Sequence, residues 1–140
     1  MKETREEMLA RVKIQFEQGV KEWKDYWASK QDCYFLDEDG YPTEDAYLVI
    51  EKWHWIDEKG WFDFIKSIWH LASWGWTERE EPHEWKDEMV TRYYISTGGW
   101  SGNEAIIRAM ENNHTMWHLT WVQSRRGGHY IFELQDIKDE

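Results

Sequence analysis

Apolar side chains recur at helical spacing through the first half of the chain and at strand spacing through the second. Met8, Val12, Phe16, Val20, Trp23 and Trp27 lie three and four residues apart, the stripe of one long amphipathic helix. Thr4 with Glu7 opens it as a capping box, the threonine oxygen accepting an amide of the first turn. Gly19 weakens the stripe by about 1 kcal/mol relative to alanine, and marks a point at which the helix can kink or break. Residues 31–42, QDCYFLDEDGYP, read as a connection with an Asp-Gly turn. Thr43 caps a second helix carrying Ala46, Val49, Ile50, Trp53 and Ile56, which is expected to stop at Gly60. A third, with Trp61, Phe62, Ile65, Ile68, Trp69 and Ala72, is expected to end at Gly75. Residues 77–88, TEREEPHEWKDE, are polar and interrupted by Pro82, and read as a surface connection.

The period then changes to two. Tyr93 and Ile95 alternate with Tyr94 and Ser96 as in a strand, and Gly98-Gly99-Trp100-Ser101-Gly102 turns the chain into a helix. Ser101 and Glu104 have the spacing of a capping box, Ile106, Ile107 and Met110 form the apolar face, and Asn113 ends it. Met116 to Val122 alternates again, Arg125-Arg126-Gly127-Gly128 turns, and Tyr130, Phe132 and Leu134 share one face of a last strand. The pattern predicts an α+β fold. A helical N-terminal half packs on a small antiparallel sheet built from a C-terminal β-α-β-β unit. One domain is expected over 1–140, mainly helical over 1–90, with the β-α-β-β unit over 91–134.

Composition sharpens this picture in three places. Twelve tryptophans are far more than a surface needs, so most are expected in the core. The single Cys33 excludes an internal disulfide and fits a reducing, cytoplasmic setting; no leader or membrane span is evident. The net charge of −11 argues against direct nucleic-acid binding. That charge is uneven: residues 1–91 hold twelve basic and twenty-two acidic side chains, whereas residues 92–130 hold four arginines against Glu104 and Glu111. The C-terminal unit is the one region that does not repel an anion.

The candidate chemistry lies there. A strand passing through glycines into a helix presents free amides and the positive end of a helix dipole, which favour an anion. Gly98, Gly99, Trp100, Ser101 and Asn103 are the candidate ligand residues, with Trp100 available for stacking. Three glycines can equally make nothing more than a tight turn, with Trp100 as core. No GK[ST] follows, so this is not a P-loop, and GWSGN departs from G-x-S-x-G at its last position. Arg125 and Arg126 at a hairpin tip can grip a phosphate or carboxylate, or simply be solvated; strand order decides whether they meet the glycine turn. His118 begins an HLT triplet like one half of a two-histidine phosphoesterase motif, without the second copy. His114, His118 and His129 lack the ligand set zinc needs, and DEDGYPTED lacks EF-hand spacing. No metal and no cofactor are expected, and no catalytic residue is assigned.

TGGWSGNE, followed by a tryptophan-bearing segment and RRGGHY, resembles a family of short proteins encoded by bacteriophages, over roughly residues 91–134. The resemblance implies a small accessory protein of an infected cell that binds and inhibits a host component, such as antiviral-defence machinery. It carries no activity and no site residue. Two binding readings follow from the residues. In one, the acidic helical half and exposed tryptophans meet a basic host protein, such as a nucleic-acid-binding effector. In the other, the glycine turn, Trp100 and the arginine pair hold a small anionic ligand such as a nucleotide. A phosphoester-acting enzyme with His118 as general base is the third reading.

Overall fold

The computed structural model of the chain describes residues 2–134, which divide into two compact units, one up to residue 33 and one from residue 34. The first unit is one helix, α1 (Arg5–Ser29), capped by Thr4, whose Oγ1 accepts the Glu7 amide at 3.1 Å. It runs without a break through Gly19. Trp23 is buried and stacks on Trp27 at 6.1 Å.

The second unit is α+β. Its helices are α2 (Glu44–Lys52), α3 (Glu58–Ile68), α4 (Ala72–Gly75), α5 (Ser101–Asn112) and α6 (His114–Thr120). Its strands are β1 (Trp76–Pro82), β2 (Met89–Ser96), β3 (Trp121–Arg125) and β4 (His129–Glu133), in one antiparallel sheet of order β1-β2-β4-β3. The inner sheet face carries Tyr93, Ile95 and Phe132, and α3 lies on it: Phe62 stacks on Tyr93 at 4.2 Å and meets Phe132 at 5.5 Å. Trp61 donates its indole N–H to the Ile50 carbonyl, joining α3 to α2. Asn113, at the α5–α6 junction, donates to the carbonyls of Ile50 and Trp53, which closes the end of α2. Buried polar groups are thus paired where three helices converge.

Five predicted features differ. The expected connection at 77–88 holds β1, an edge strand in which only Trp76 is buried. Its ladder to β2 is main-chain, so no alternation of apolar residues announces it. Pro82 sits at its end, and its charges suit an exposed edge. The expected strand from Met116 begins as helix α6, because the Asn113 side chain accepts the Met116 amide and restarts the helix. Met116 and Thr120, four residues apart, are its buried positions, and the strand starts only at Trp121. Gly60 does not end a helix. It lies inside α3, where the Asp57 cap accepts its amide at 2.9 Å and a Cβ would stand 2.0 Å from that carboxylate. The third helix breaks at Leu71, which adopts φ 57 before α4. Ser101 is the first residue inside α5 and forms no capping box; Trp100 holds the N-cap position without a side-chain bond.

Of the twelve tryptophans, Trp23, Trp53, Trp61, Trp69 and Trp76 are buried. Trp27, Trp100 and Trp117 are half-buried, and Trp55, Trp74, Trp85 and Trp121 are exposed. No helix among the described residues is long and apolar enough to cross a membrane.

Candidate functional site

The site forms where β2 ends, and Thr97 is its knot. The buried Thr97 donates its amide to the Gly128 carbonyl at 3.0 Å. Its Oγ1 accepts the Gly99 amide at 3.3 Å, and its carbonyl accepts the Trp100 amide at 3.2 Å. Gly98 and Gly99 take φ 63 and 73, two successive left-handed residues that a side chain would strain. The Gly128 contact carries the consequence. Strand order β1-β2-β4-β3 sets β4 beside β2, so the glycine turn and the Arg125–Gly128 turn meet at one end of the sheet.

Asn103 joins a third segment to these two. It is buried, its Oδ1 accepts the His70 amide at 2.9 Å, and its Nδ2 donates to the carbonyls of His70 and Thr97. Both ends of the amide are engaged inside the protein, so Asn103 holds the site together and does not face a ligand. The segment it pins, His70 and left-handed Leu71, is the strained stretch between α3 and α4. The Trp69 indole N–H adds a bond to the Ser96 carbonyl.

Trp100 folds back over the first turn of α5. A Cβ at Gly102 would stand 2.3 Å from its ring, which is why glycine follows there. The ring also lies 4.6 Å from Tyr41 and 4.3 Å from His70, centroid to centroid, so it walls the site from one side. His70, Leu71, Trp74, Thr97, Gly98, Gly99 and Trp100 enclose a cleft of about 240 Å³. Trp74 forms the opposite wall and is 66% exposed, its ring edge close to Gly98. The start of α5 opens nearby, with first-turn amides that no side chain caps, and with Glu104 partly offsetting the dipole.

The outer sheet face at the same end carries a second hollow, about 310 Å³, lined by Tyr94, Ser96, Arg125, His129, Tyr130 and Ile131 among others. Ser96 and His129 are register partners, and Ser96 Oγ lies 2.5 Å from His129 Nδ1. In the tautomer with the proton on Nε2, the serine hydroxyl is the donor. Arg125, opposite His129 across β3–β4, reaches Gln123 at 3.4 Å. Arg126, at the hairpin tip, is exposed and has no hydrogen bond or ion pair among the described residues. Both tyrosines titrate above their ordinary range: Tyr94 because its hydroxyl donates to the Glu81 carboxylate, Tyr130 because it is buried. Both hydroxyls therefore stay protonated at neutral pH.

Gly98, Gly99 and Trp100 thus line one cleft, with Ser101 exposed just beyond it. Arg125 and Arg126 belong to the adjoining turn. His118 is apart from all of them, exposed on α6, which feeds β3 at the end opposite the arginine turn. Sequence reasoning passed over His70, Leu71, Trp74 and Thr97. Trp74 alone left a trace, since it falls on the polar side of the stripe made by Trp61, Phe62, Ile65 and Ile68. Among the described residues no group of three or more His, Cys, Asp or Glu side chains is arranged to hold a metal.

Comparison of the chain with protein-family models, with curated proteins and with solved structures returned no match.

Proposed function

We propose that this protein is a non-catalytic binder whose ligand is a small anion carrying a flat ring, a mononucleotide being the type. The observation that carries the reading is the Thr97–Gly128 hydrogen bond, which draws both turns to one sheet end. Three ligand-binding elements then adjoin: the exposed face of Trp74, the uncapped amides at the start of α5, and the unpaired Arg126. A ring stacks on Trp74, and the anionic group takes the guanidinium, with the α5 amides adding to its field. A cleft of about 240 Å³ holds a ring and little more, so the rest of the ligand lies over the hairpin.

The test is tryptophan fluorescence during titration with adenosine monophosphate, repeated with adenosine and with inorganic phosphate. Quenching by the nucleotide, weaker with either half, and lost in Arg125→Ala/Arg126→Ala, is the expected result. A nucleotide response unchanged in the double variant, or none up to about 1 mM, sinks the reading.

One observation favours a second reading, the protein partner. The β1–β2 connection presents Trp85, 88% exposed, with Glu84 and Asp87 near it in sequence and Lys86 paired to Glu88 at 3.9 Å, a local excess of negative charge. An aromatic anchor in an acidic rim suits a basic surface, such as that of a nucleic-acid-binding host effector, which this protein would then inhibit. Trp85→Ala separates the readings: it leaves nucleotide quenching intact and releases such a partner.

A further inference from the structure

A third hollow, of about 370 Å³, lies on the inner sheet face towards the start of β2, away from the cleft at its end. Tyr93 and Thr91 line it from β2, and their register partners Glu78 and Glu80 line it from β1. Lys59 of α3 and Leu134 close its sides, with the Leu134 amide held by the Thr91 carbonyl at 3.0 Å. Tyr93 is 1% exposed, yet its hydroxyl has no hydrogen bond among the described residues. A buried hydroxyl left unpaired is costly, and a ligand in the hollow is the group that would pair it.

The charges around the hollow decide what that ligand is. Its two cations are already engaged: Lys59 pairs with Asp63 at 2.9 Å, and Arg79 lies over the Tyr94 ring at 5.6 Å. Glu78 takes the Trp76 indole N–H at 3.1 Å and Lys66 at 3.5 Å. Glu80 and the Thr91 hydroxyl have no hydrogen bond or ion pair among the described residues. Burial, and then the carboxylates of Glu78, Asp63 and Glu58, hold the Tyr93 hydroxyl far above its ordinary pKa, so it keeps its proton. The groups left over are two hydroxyl oxygens and one carboxylate. All three accept hydrogen bonds, and they suit a donor that is positively charged. An anion would meet Glu78 and Glu80.

We infer that this hollow binds an alkylammonium group, from a free amine or a lysine side chain, with the ammonium donating to the Tyr93 and Thr91 hydroxyls and to Glu80. The apolar stem lies along Leu134 and the edge of the Tyr93 ring. Glu80 is exposed, so the attraction is screened and dissociation is expected near about 1 mM. The site is independent of the anion cleft at the other end of β2.

Chemical-shift titration of the isotope-labelled full chain with putrescine, and with Nα-acetyl-lysine N-methylamide, tests this. The expected result is saturable shifts centred on Glu80, Thr91 and Leu134, with no response to butanol, which has the stem without the charge. Tyr93→Phe keeps the ring in the core and removes only the unpaired hydroxyl. It should leave the circular dichroism and the melting temperature unchanged and weaken binding about tenfold. Glu80→Gln, at an exposed position, should weaken binding to a similar degree. Putrescine bound more tightly than the lysine derivative identifies a free amine as the ligand; the same or the reverse order identifies a lysine side chain. Shifts spread over acidic side chains elsewhere and indifferent to both variants mark general ion attraction and overturn the proposal. No response up to about 20 mM, or an equal response to butanol, overturns it too. A lowered melting temperature in Tyr93→Phe would give the hydroxyl a partner within the fold, and the proposal falls with that.

Discussion

The amide of Thr97 donates to the carbonyl of Gly128 at 3.0 Å, and at Gly128 there is no room for a side chain between them. A Cβ there would stand 2.3 Å from Thr97 Oγ1, in a residue at φ 80. Gly127 has φ 91 but only ordinary contacts, the nearest at 3.6 Å.

Gly128→Ala is therefore expected to cost about 2–3 kcal/mol, strain plus displacement of Thr97, and Gly127→Ala about 1 kcal/mol from backbone strain alone. Urea denaturation of both variants measures the difference. If Gly127→Ala proves as costly as Gly128→Ala, close approach is not what matters at this junction.

Asn103→Ala removes the partner of the His70 amide and two carbonyl bonds, and is expected to cost about 2–3 kcal/mol. The loss should concentrate at the cleft. Hydrogen exchange at His70–Leu71 and at Thr97–Gly99 should speed up well before the β2–β4 ladder does. Uniform acceleration would mean that Asn103 supports the whole fold instead of this corner.

Trp74 and Trp61 make a contrasting pair. Trp74→Ala, at a largely exposed ring, should change stability by less than about 0.5 kcal/mol while weakening ring stacking in the cleft. Trp61→Ala removes a fully buried ring and its bond to Ile50, at about 3–5 kcal/mol. A strongly destabilised Trp74→Ala would reassign that ring to the fold.

His54 gives a pH dependence with a definite sign. Burial lowers its pKa below 6.5, and its Nδ1 accepts the Ile56 amide, a bond only the unprotonated nitrogen makes. The unfolded chain therefore binds the proton more readily. The stabilisation is complete above the ordinary histidine pKa and is lost as the pH falls through 6.5 towards the folded value. Stability followed from pH 8 to 5 should fall less in His54→Asn than in the parent; equal slopes would remove His54 as the cause.

Local rules were legible in this sequence because they act over a few residues. Thr4 and Thr43 cap helices through their own hydroxyls, Tyr93 and Ile95 alternate into the core, and positive-φ glycines make both turns. The α+β class followed from the change of period. Strand β1 escaped because a ladder of main-chain bonds leaves no mark on side-chain order, and α6 because one Asn113 bond outweighed a short alternating run.

What only tertiary structure decided is adjacency. The glycine turn and the arginine turn are visible as separate signals thirty residues apart, and either could have been a plain connection. The placement of β4 between β2 and β3 brings them together, and Asn103 then draws in His70, Leu71 and Trp74 from a stretch with no motif of its own. Backbone bonds, open to almost any residue, set the strand placement, and one side chain, Asn103, sets the rest. Sequence therefore determined the two turns and Trp100, and long-range pairing determined that the turns adjoin and that His70, Leu71, Trp74 and Thr97 complete the cleft.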